Sequence, residues 1–244
     1  MAFIGVQPTS APLTSSDITD GIISTAKIAD DAVTSAKIPA NAVTDSELNL
    51  GSDYAFTGTV SGTPTSRKLL RTITISSNTN SISFVHGANG VVLDSTYSRY
   101  EITVDSAVPS TNAVQILLLV STNGGSSYHT TDAYNSSYHR HYSNGSSTGN
   151  DSAYVNDFAL NHDQSMSSTA SNGGVDGSIV VTNLGTAHRT VFNGNFFGFG
   201  SGSYLIHTNT IGAYASSSAT INAIAIAFAS GDIASGKFKL FGVN

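Results

Sequence analysis

Residues 126–165 form a polar segment that is dense in tyrosine, histidine, serine and asparagine. Within it, His139 and His141 are separated by one residue, so an extended backbone would place both imidazoles on the same side. Paired imidazoles bind transition metals or change charge near neutral pH. The pattern is short and frequent by chance, and a solvated or hydrogen-bonded pair is its default interpretation. We therefore predict no metal site and no cofactor.

Carboxylates are the second group of side chains that could perform chemistry, because paired acids hydrolyse glycosidic bonds. Glu101 is the only glutamate after residue 67. Asp132, Asp151, Asp157 and Asp163 lie in or near the polar segment, where aspartate most often caps turns. The glycine-rich FGFGSGSY lies between predicted strands rather than before a helix, so it does not predict a phosphate-binding loop. We predict that the chain has no catalytic residues and is not an enzyme.

Binding is the alternative use of such a segment, since long polar loops on a rigid scaffold usually carry recognition. Tyrosine offers a flat amphipathic surface at small entropic cost and can stack on sugar rings. The same tyrosines can instead pack the segment onto the rest of the protein or onto a neighbouring chain, and the sequence leaves both interpretations open. The candidate binding residues are Tyr134, Tyr138, His139, Arg140, His141, Tyr142 and Tyr154.

The overall composition narrows the class of protein. The chain has 244 residues and lacks cysteine. Only 11% of its residues are charged, whereas serine, threonine, asparagine and glycine are abundant, a composition typical of short strands joined by many turns. A net charge of -6 with ten lysines and arginines argues against a nucleic-acid partner, which requires a basic stripe. The longest strongly apolar run, 114–120, is too short to span a bilayer, and MAFIGVQPTS lacks the basic residue of a secretory signal. We expect a soluble protein that is neither inserted in a membrane nor exported by a signal of its own.

From Arg67 onward, short apolar runs alternate with Asn-Gly, Gly-Gly and Ser-Gly turns. This pattern predicts about ten strands in an antiparallel sandwich or jelly roll. The run AVQILLLVS is apolar on both alternate faces, so we expect a strand that is covered on both sides or lies at a subunit interface. In INAIAIAFA, alanines form a flat face that suits close approach by another sheet or chain. The sequence predicts an all-β fold in which a linker at 51–66 precedes a jelly-roll-like antiparallel β-sandwich head at 67–244.

An N-terminal repeat precedes the head. In TAKIADDAVTSAKIPANAVTDSEL, the pair Lys27-Ile28 recurs ten residues later as Lys37-Ile38. At half that spacing an apolar residue falls at every fifth position, at Leu13, Ile18, Ile23, Ile28, Val33, Ile38, Val43 and Leu48. A five-residue step forms no face on an α-helix and alternates between the sides of a strand. We therefore predict a repeating strand-and-turn unit, with bends at Asp30, Asp31, Pro39 and Asn41.

Such a unit has no core of its own, so a single copy cannot offset the entropy lost on ordering. Three copies wound about one axis would bury the apolar side chains together. We therefore predict a trimeric stalk of ten-residue repeats at 13–50. A disordered linker with accidental periodicity is the alternative, and short helical turns within each repeat are a second one.

The repeat ending in AVTSAKI and the closing segment INAIAIAFASGDIASGKFKLFGV resemble those of phage tail or capsid fibre proteins. The resemblance implies a homotrimeric structural fibre of a bacteriophage virion, synthesised in the host cytoplasm, whose head attaches to the host cell surface. Residues 1–12 would anchor it to a phage tail or capsid protein, and the head would bind a host surface glycan or protein. The two-histidine pattern at 139–141 is similar to one found at the iron-binding tips of some phage fibres.

Two other functions are compatible with these patterns. A capsid or tail decoration protein would use the same trimer without binding any receptor. A polysaccharide depolymerase is less favoured, because it needs a pair of carboxylates in one groove.

Overall fold

The computed structural model describes residues 14, 16, 18–30, 32–38, 67–161, 166–186, 188–215 and 220–244. The chain divides into two compact units, Met1–Gly62 and Thr63–Asn244. The predicted anchor at 1–12 and the predicted linker at 51–66 lie outside the described residues. Within the described ranges, no helix is long and apolar enough to cross a membrane.

Twelve strands are described in the second unit. They are β1 (Arg67–Ile75), β2 (Ser81–Val85), β3 (Arg99–Pro109), β4 (Ile116–Ser121), β5 (Tyr134–Tyr142), β6 (Ser147–Val155), β7 (Phe158–Ala159), β8 (Val175–Thr182), β9 (Val191–Phe199), β10 (Leu205–Tyr214), β11 (Ala223–Phe228) and β12 (Ile233–Val243). The prediction of an all-β fold is confirmed.

The strands form two antiparallel sheets. The large sheet has eight strands in the order β1-β12-β3-β8-β9-β10-β5-β6, and the small sheet has four in the order β2-β11-β4-β7. Neighbouring strands pair antiparallel in both sheets.

One hydrophobic core forms because inward side chains alternate with outward ones along the strands. In β9 the inward residues Phe192 and Phe196 are fully buried, whereas Asn193 and Asn195 point the other way and are exposed. Full burial of one phenylalanine stabilises the fold by roughly 1.5–3 kcal/mol. These rings therefore determine which face of the large sheet is turned away from the core, and we call that face the outer face.

The apolar run of β4 and the alanine run of β11 are adjacent in the small sheet. β4 is buried on both of its faces, as predicted, since Leu118 lies in the core and Leu117 on the opposite face is 7% exposed. The chain's own loop after β4 covers the alanine face at one end, because Gly125 lies against Ala223. Part of the flat face therefore needs no second chain to cover it.

The interpretation of 126–165 as a long polar loop is wrong over much of its length. β5 pairs with β10 over nine consecutive register positions, and β6 pairs with β5 at the edge of the large sheet. The turn between β5 and β6 is closed by the N–H of Tyr142, which donates to the carbonyl oxygen of Ser146 at 2.9 Å. Because the segment is a hairpin, its side chains are positioned by a sheet and not by a loop.

In the described part of the first unit, tight turns recur every five residues. Four backbone N–H groups donate to the carbonyl oxygen three residues earlier, at 2.8–3.1 Å, and they belong to Ile22, Lys27, Ala32 and Lys37. Two of these turns are 3₁₀ helices, at Thr25–Lys27 and Ser35–Lys37. The described residues of this unit contain no strand, so the predicted strand-and-turn repeat is wrong there in its strand part. Asp30 lies in a turn as predicted, whereas Asp31, Pro39 and Asn41 lie outside the described residues.

Every second turn carries an additional hydrogen bond from a lysine side chain. The ammonium of Lys27 donates to the carbonyl oxygen of Ile22 at 2.6 Å, and that of Lys37 donates to the carbonyl oxygen of Ala32 at 2.8 Å. The ten-residue repeat therefore consists of two five-residue turns, one of which is bridged by a lysine.

The apolar side chains of this repeat lie in water in the single chain. Those described are Ile18, Ile23, Ile28, Val33 and Ile38, and they are 43–57% exposed. Leu13, Val43 and Leu48 lie outside the described residues. The turn spacing thus explains the five-residue period but provides no core for it.

Candidate binding surface

Two open depressions lie on the outer face of the large sheet. The first, of about 730 Å³, is lined by residues of β5, β6, β9 and β10, including His139, Asp151 and Asn209. The second, of about 590 Å³, is lined by residues of β3, β8, β9 and β10. Asn193 and Ile211 line both. The two depressions therefore form one continuous surface.

The strand register sets the order of side chains across this surface. Pairwise alignment from β3 to β6 places Glu101, Val180, Asn193, Ile211, Ser137 and Asp151 in one row. Five spacings of about 4.8 Å separate the first strand from the last, so the row extends about 24 Å along the sheet. The row is polar at both ends. Its centre is apolar, at Ile211, which is 47% exposed.

Three asparagines form what we call the amide patch, namely Asn193, Asn195 and Asn209. Asn195 and Asn209 are register partners on adjacent strands, and all three side chains are exposed. Among the described residues, their amide groups make no side-chain hydrogen bond. The patch therefore presents donors and acceptors that are available to a ligand.

Buried contacts behind the amide patch hold its strands in place. The hydroxyl of Thr208 in β10 donates to the carbonyl oxygen of Asn161 at 2.8 Å, and the amide oxygen of Asn161 accepts from the N–H of Ile116 at 3.0 Å. Thr208 and Asn161 are both buried. These hydrogen bonds connect β10 through residue 161 to the small sheet, so the strand that carries Asn209 is held in place.

Next to the patch, three histidines share the outer face. His139 Nδ1 and His141 Nε2 are hydrogen-bonded at 2.8 Å, and the ring of His141 stacks on that of His207 with centroids 6.2 Å apart. A Cβ on Gly149, opposite His139, would lie 3.0 Å from the His139 ring, so glycine leaves room for that ring. No group of three or more potential ligands among the described residues could hold a metal ion. The contact seen for His139 and His141 is a hydrogen bond between them.

The predicted binding residues are divided between the two faces of β5. His139 and His141 lie on the outer face, whereas Tyr134 is fully buried and cannot contact a ligand, so its assignment as a binding residue is wrong. Tyr138, Arg140 and Tyr142 alternate with the histidines and are half-buried. The Arg140 guanidinium lies 5.1 Å from the Tyr138 ring and 5.6 Å from the Tyr142 ring.

Tyr154 is the exposed tyrosine of the set. Its side chain is 64% exposed, and its backbone has a φ of 58°, which an aromatic residue rarely adopts. Its N–H donates to the side-chain oxygen of Asn135 at 3.2 Å. The residue lies at the bulge where the pairing of β5 and β6 shifts, away from the amide patch in register.

The carboxylates considered for hydrolysis are far apart. Among the described residues, the first depression is lined by one carboxylate, Asp151, and the second by one, Glu101. Glu101 forms an ion pair of 2.7 Å with Arg67, and it is about 24 Å along the sheet from Asp151. Burial raises the pKa of Asp157, which lines a separate small depression. Asp163 lies outside the described residues.

Sequence reasoning missed the amide patch, although a signal was present. Asparagine is depleted in strands, yet Asn193 and Asn195 occupy alternate interior positions of the run VFNGNFFGF, and Asn209 lies in the interior of β10. Interior asparagines on one face of a strand indicate a use other than folding.

No protein-family model matches this chain, and neither the curated proteins nor the solved structures contain a match.

Proposed function

We propose that the protein is a homotrimeric structural fibre of a bacteriophage virion that attaches to the host cell surface through the outer face of its large sheet. The observation that carries the proposal is the row of evenly spaced apolar side chains in the first unit, which are 43–57% exposed in the single chain. Exposed apolar residues at a strict period favour burial against identical copies.

The strand order of the second unit supports the same assignment. If the hairpins β5–β6 and β9–β10 are set aside, the remaining eight strands have the order β1-β12-β3-β8 in one sheet and β2-β11-β4-β7 in the other. This order fits a jelly roll, which has eight strands in two sheets and occurs in viral capsid, lectin and cupin domains. A fold of this kind agrees with the proposal without identifying a partner.

Attachment is favoured over a purely structural role by the amide patch. A decoration protein has no need for polar side chains without protein partners on a rigid, indented face. A depolymerase is disfavoured, because glycosidases hold their carboxylates about 5–9.5 Å apart, whereas Glu101 and Asp151 are separated by about 24 Å along the sheet.

Light scattering on the full-length protein tests the trimer. We expect a mass about three times the chain mass of 25.1 kDa. The double variant Ile28→Asp/Ile38→Asp should lose the trimer, because six carboxylates would enter an apolar axis. Ser24→Asp/Thr34→Asp adds the same charge at exposed positions ten residues apart and should keep it. A monomeric wild type, or a trimeric isoleucine variant, would contradict the shared-axis arrangement.

Adsorption of the labelled full-length protein to a panel of bacterial strains tests attachment. We expect saturable binding to a subset of strains. A trimer that adsorbs to none of them would favour the decoration role over attachment.

A further inference from the structure

We propose that the amide patch and the two depressions form a binding site for a neutral oligosaccharide, a chain of pyranose rings that carries hydroxyl or acetamido groups and no net charge. This inference rests on the proposed attachment role and specifies the chemistry of the receptor.

The hydrogen-bonding groups of the surface match those of a sugar. A hydroxyl group both donates and accepts, and an asparagine amide does the same with its nitrogen and oxygen. The amides of Asn193, Asn195 and Asn209 are unused by the described residues. Because the strands already fix the backbone of these residues, ligand binding has to order only their short side chains.

The centre of the surface offers apolar contact. Ile211 is 47% exposed and separates Asn193 from Ser137 in the row across the sheet. Val180 and Val191 line the second depression beside it. Small-molecule sites combine such apolar contact with a few fixed polar groups. The C–H face of a pyranose ring would lie on the isoleucine while its hydroxyls reach the amides.

The charges of the lining favour a neutral ligand. Apart from His139, the charged residues described in the two depressions are Arg99, Glu101 and Asp151. Glu101 is already paired with Arg67 at 2.7 Å, so the lining carries almost no net charge. A sialylated or phosphorylated glycan would need an arginine or lysine cluster. Arg99 alone, at the far end of the second depression, does not supply one.

The length of the surface favours a chain of sugars over a single ring. From β3 to β6 the two depressions together extend over five strand spacings, about 24 Å. A single pyranose would occupy only part of this length. Several rings would contact both depressions through the shared residues Asn193 and Ile211.

A glycan array probed with the full-length protein tests the proposal. The array carries neutral hexose and N-acetylhexosamine oligosaccharides together with sialylated and phosphorylated ones. We expect binding to a set of neutral oligosaccharides. The strongest neutral glycan is then titrated calorimetrically against wild type and against Asn193→Ala/Asn209→Ala, and the variant should bind about tenfold more weakly or worse.

Asn78→Ala/Asn80→Ala is the matched control, since both asparagines are exposed between β1 and β2 and outside both depressions. It should bind like wild type. The melting temperature of the Asn193/Asn209 variant should not fall, because alanine is no worse than asparagine in a strand. A loss of binding with unchanged stability then reports on the ligand contact.

Three results would overturn the proposal. The first is binding to charged glycans alone, or binding to no glycan on the array. If the protein adsorbs to cells in that case, the proposed attachment role still holds and the receptor has a different chemistry. The second is equal affinity of the amide variant and wild type. The third is loss of the trimer in the amide variant, which would make this face a contact between copies of the chain.

Discussion

Tyr134→Phe is the substitution that most directly tests the corrected position of residue 134. The Tyr134 ring is fully buried, and its hydroxyl accepts from the N–H of Val120 at 2.8 Å and donates to the carbonyl oxygen of His129 at 3.2 Å. β7 pairs with β4 only at Leu117 and Leu118. The tyrosine hydroxyl therefore supplies the acceptor for a strand N–H beyond the end of β7.

The expected cost follows from these contacts. Phenylalanine keeps the ring packing and removes only the hydroxyl, so the N–H of Val120 is left buried without that acceptor. An unsatisfied buried donor costs about 1–3 kcal/mol. We expect Tyr134→Phe to lower the free energy of unfolding by about 2 kcal/mol. Tyr154→Phe, at a side chain that is 64% exposed, is the matched control and should change it by less than about 0.5 kcal/mol.

Urea denaturation followed by far-UV circular dichroism, at one fixed protein concentration, measures the difference. The pH dependence gives a second check. Burial raises the pKa of Tyr134, so the folded state holds this proton more tightly than the unfolded state does. The stability gained from Tyr134 is complete below a pH of about 10 and is lost as the pH rises further. The gap between wild type and Tyr134→Phe should narrow above that pH. A variant as stable as wild type at pH 7 would refute the proposed role of the hydroxyl.

Two further substitutions test the packing around the candidate surface. Burial raises the pKa of Asp157, so the stability that its protonated carboxyl contributes is present below its ordinary pKa and is lost as the pH rises through the raised value. Asp157→Asn should therefore raise the melting temperature at pH 7 and change it little at pH 3. An equal increase at both pH values would contradict this. A Cβ on Gly212 would overlap the carbonyl oxygen of Asn135 and the ring of Phe158. Gly212→Ala should therefore lower the free energy of unfolding by about 2–3 kcal/mol. An unchanged urea midpoint would show that β5 and β10 can separate without loss of stability.

Local patterns predicted much of the second unit. The runs that became β3 and β12 alternate apolar and polar residues over most of their length, and burial in the core follows that alternation. β5 was not predictable in this way, because YNSSYHRHY contains no apolar alternation. Its strand conformation depends on pairing with β10, which lies more than 60 residues later in the chain. Pairing over such a distance is a tertiary effect that local propensity does not report.

The candidate surface was predictable only in part. His139 and His141 were placed on one face from their spacing alone, and the structure puts them there. Asn193 and Ile211 belong to the β9–β10 hairpin, whereas Asp151 belongs to the β5–β6 hairpin, so their row across the sheet depends on register between the two hairpins. In the first unit the five-residue period was visible in the sequence, but its cause was not, since a turn closed by a backbone hydrogen bond satisfies that spacing as well as a strand-and-turn unit would.

At both proposed contact surfaces, the residue types differ from those that the local structure normally favours. Strand interiors disfavour asparagine, yet Asn193, Asn195 and Asn209 lie on adjacent strands of a well-packed sheet. Turns disfavour large exposed aliphatic groups, yet Ile28 and Ile38 follow two of them and are 43% and 46% exposed. In sequences that fold to one structure, residue types follow local structural preferences except where a function requires a different residue. The two exceptions differ in chemistry: the aliphatic row favours burial against identical copies, as the proposed trimer requires, whereas the amide patch favours a polar ligand, as the proposed receptor site requires.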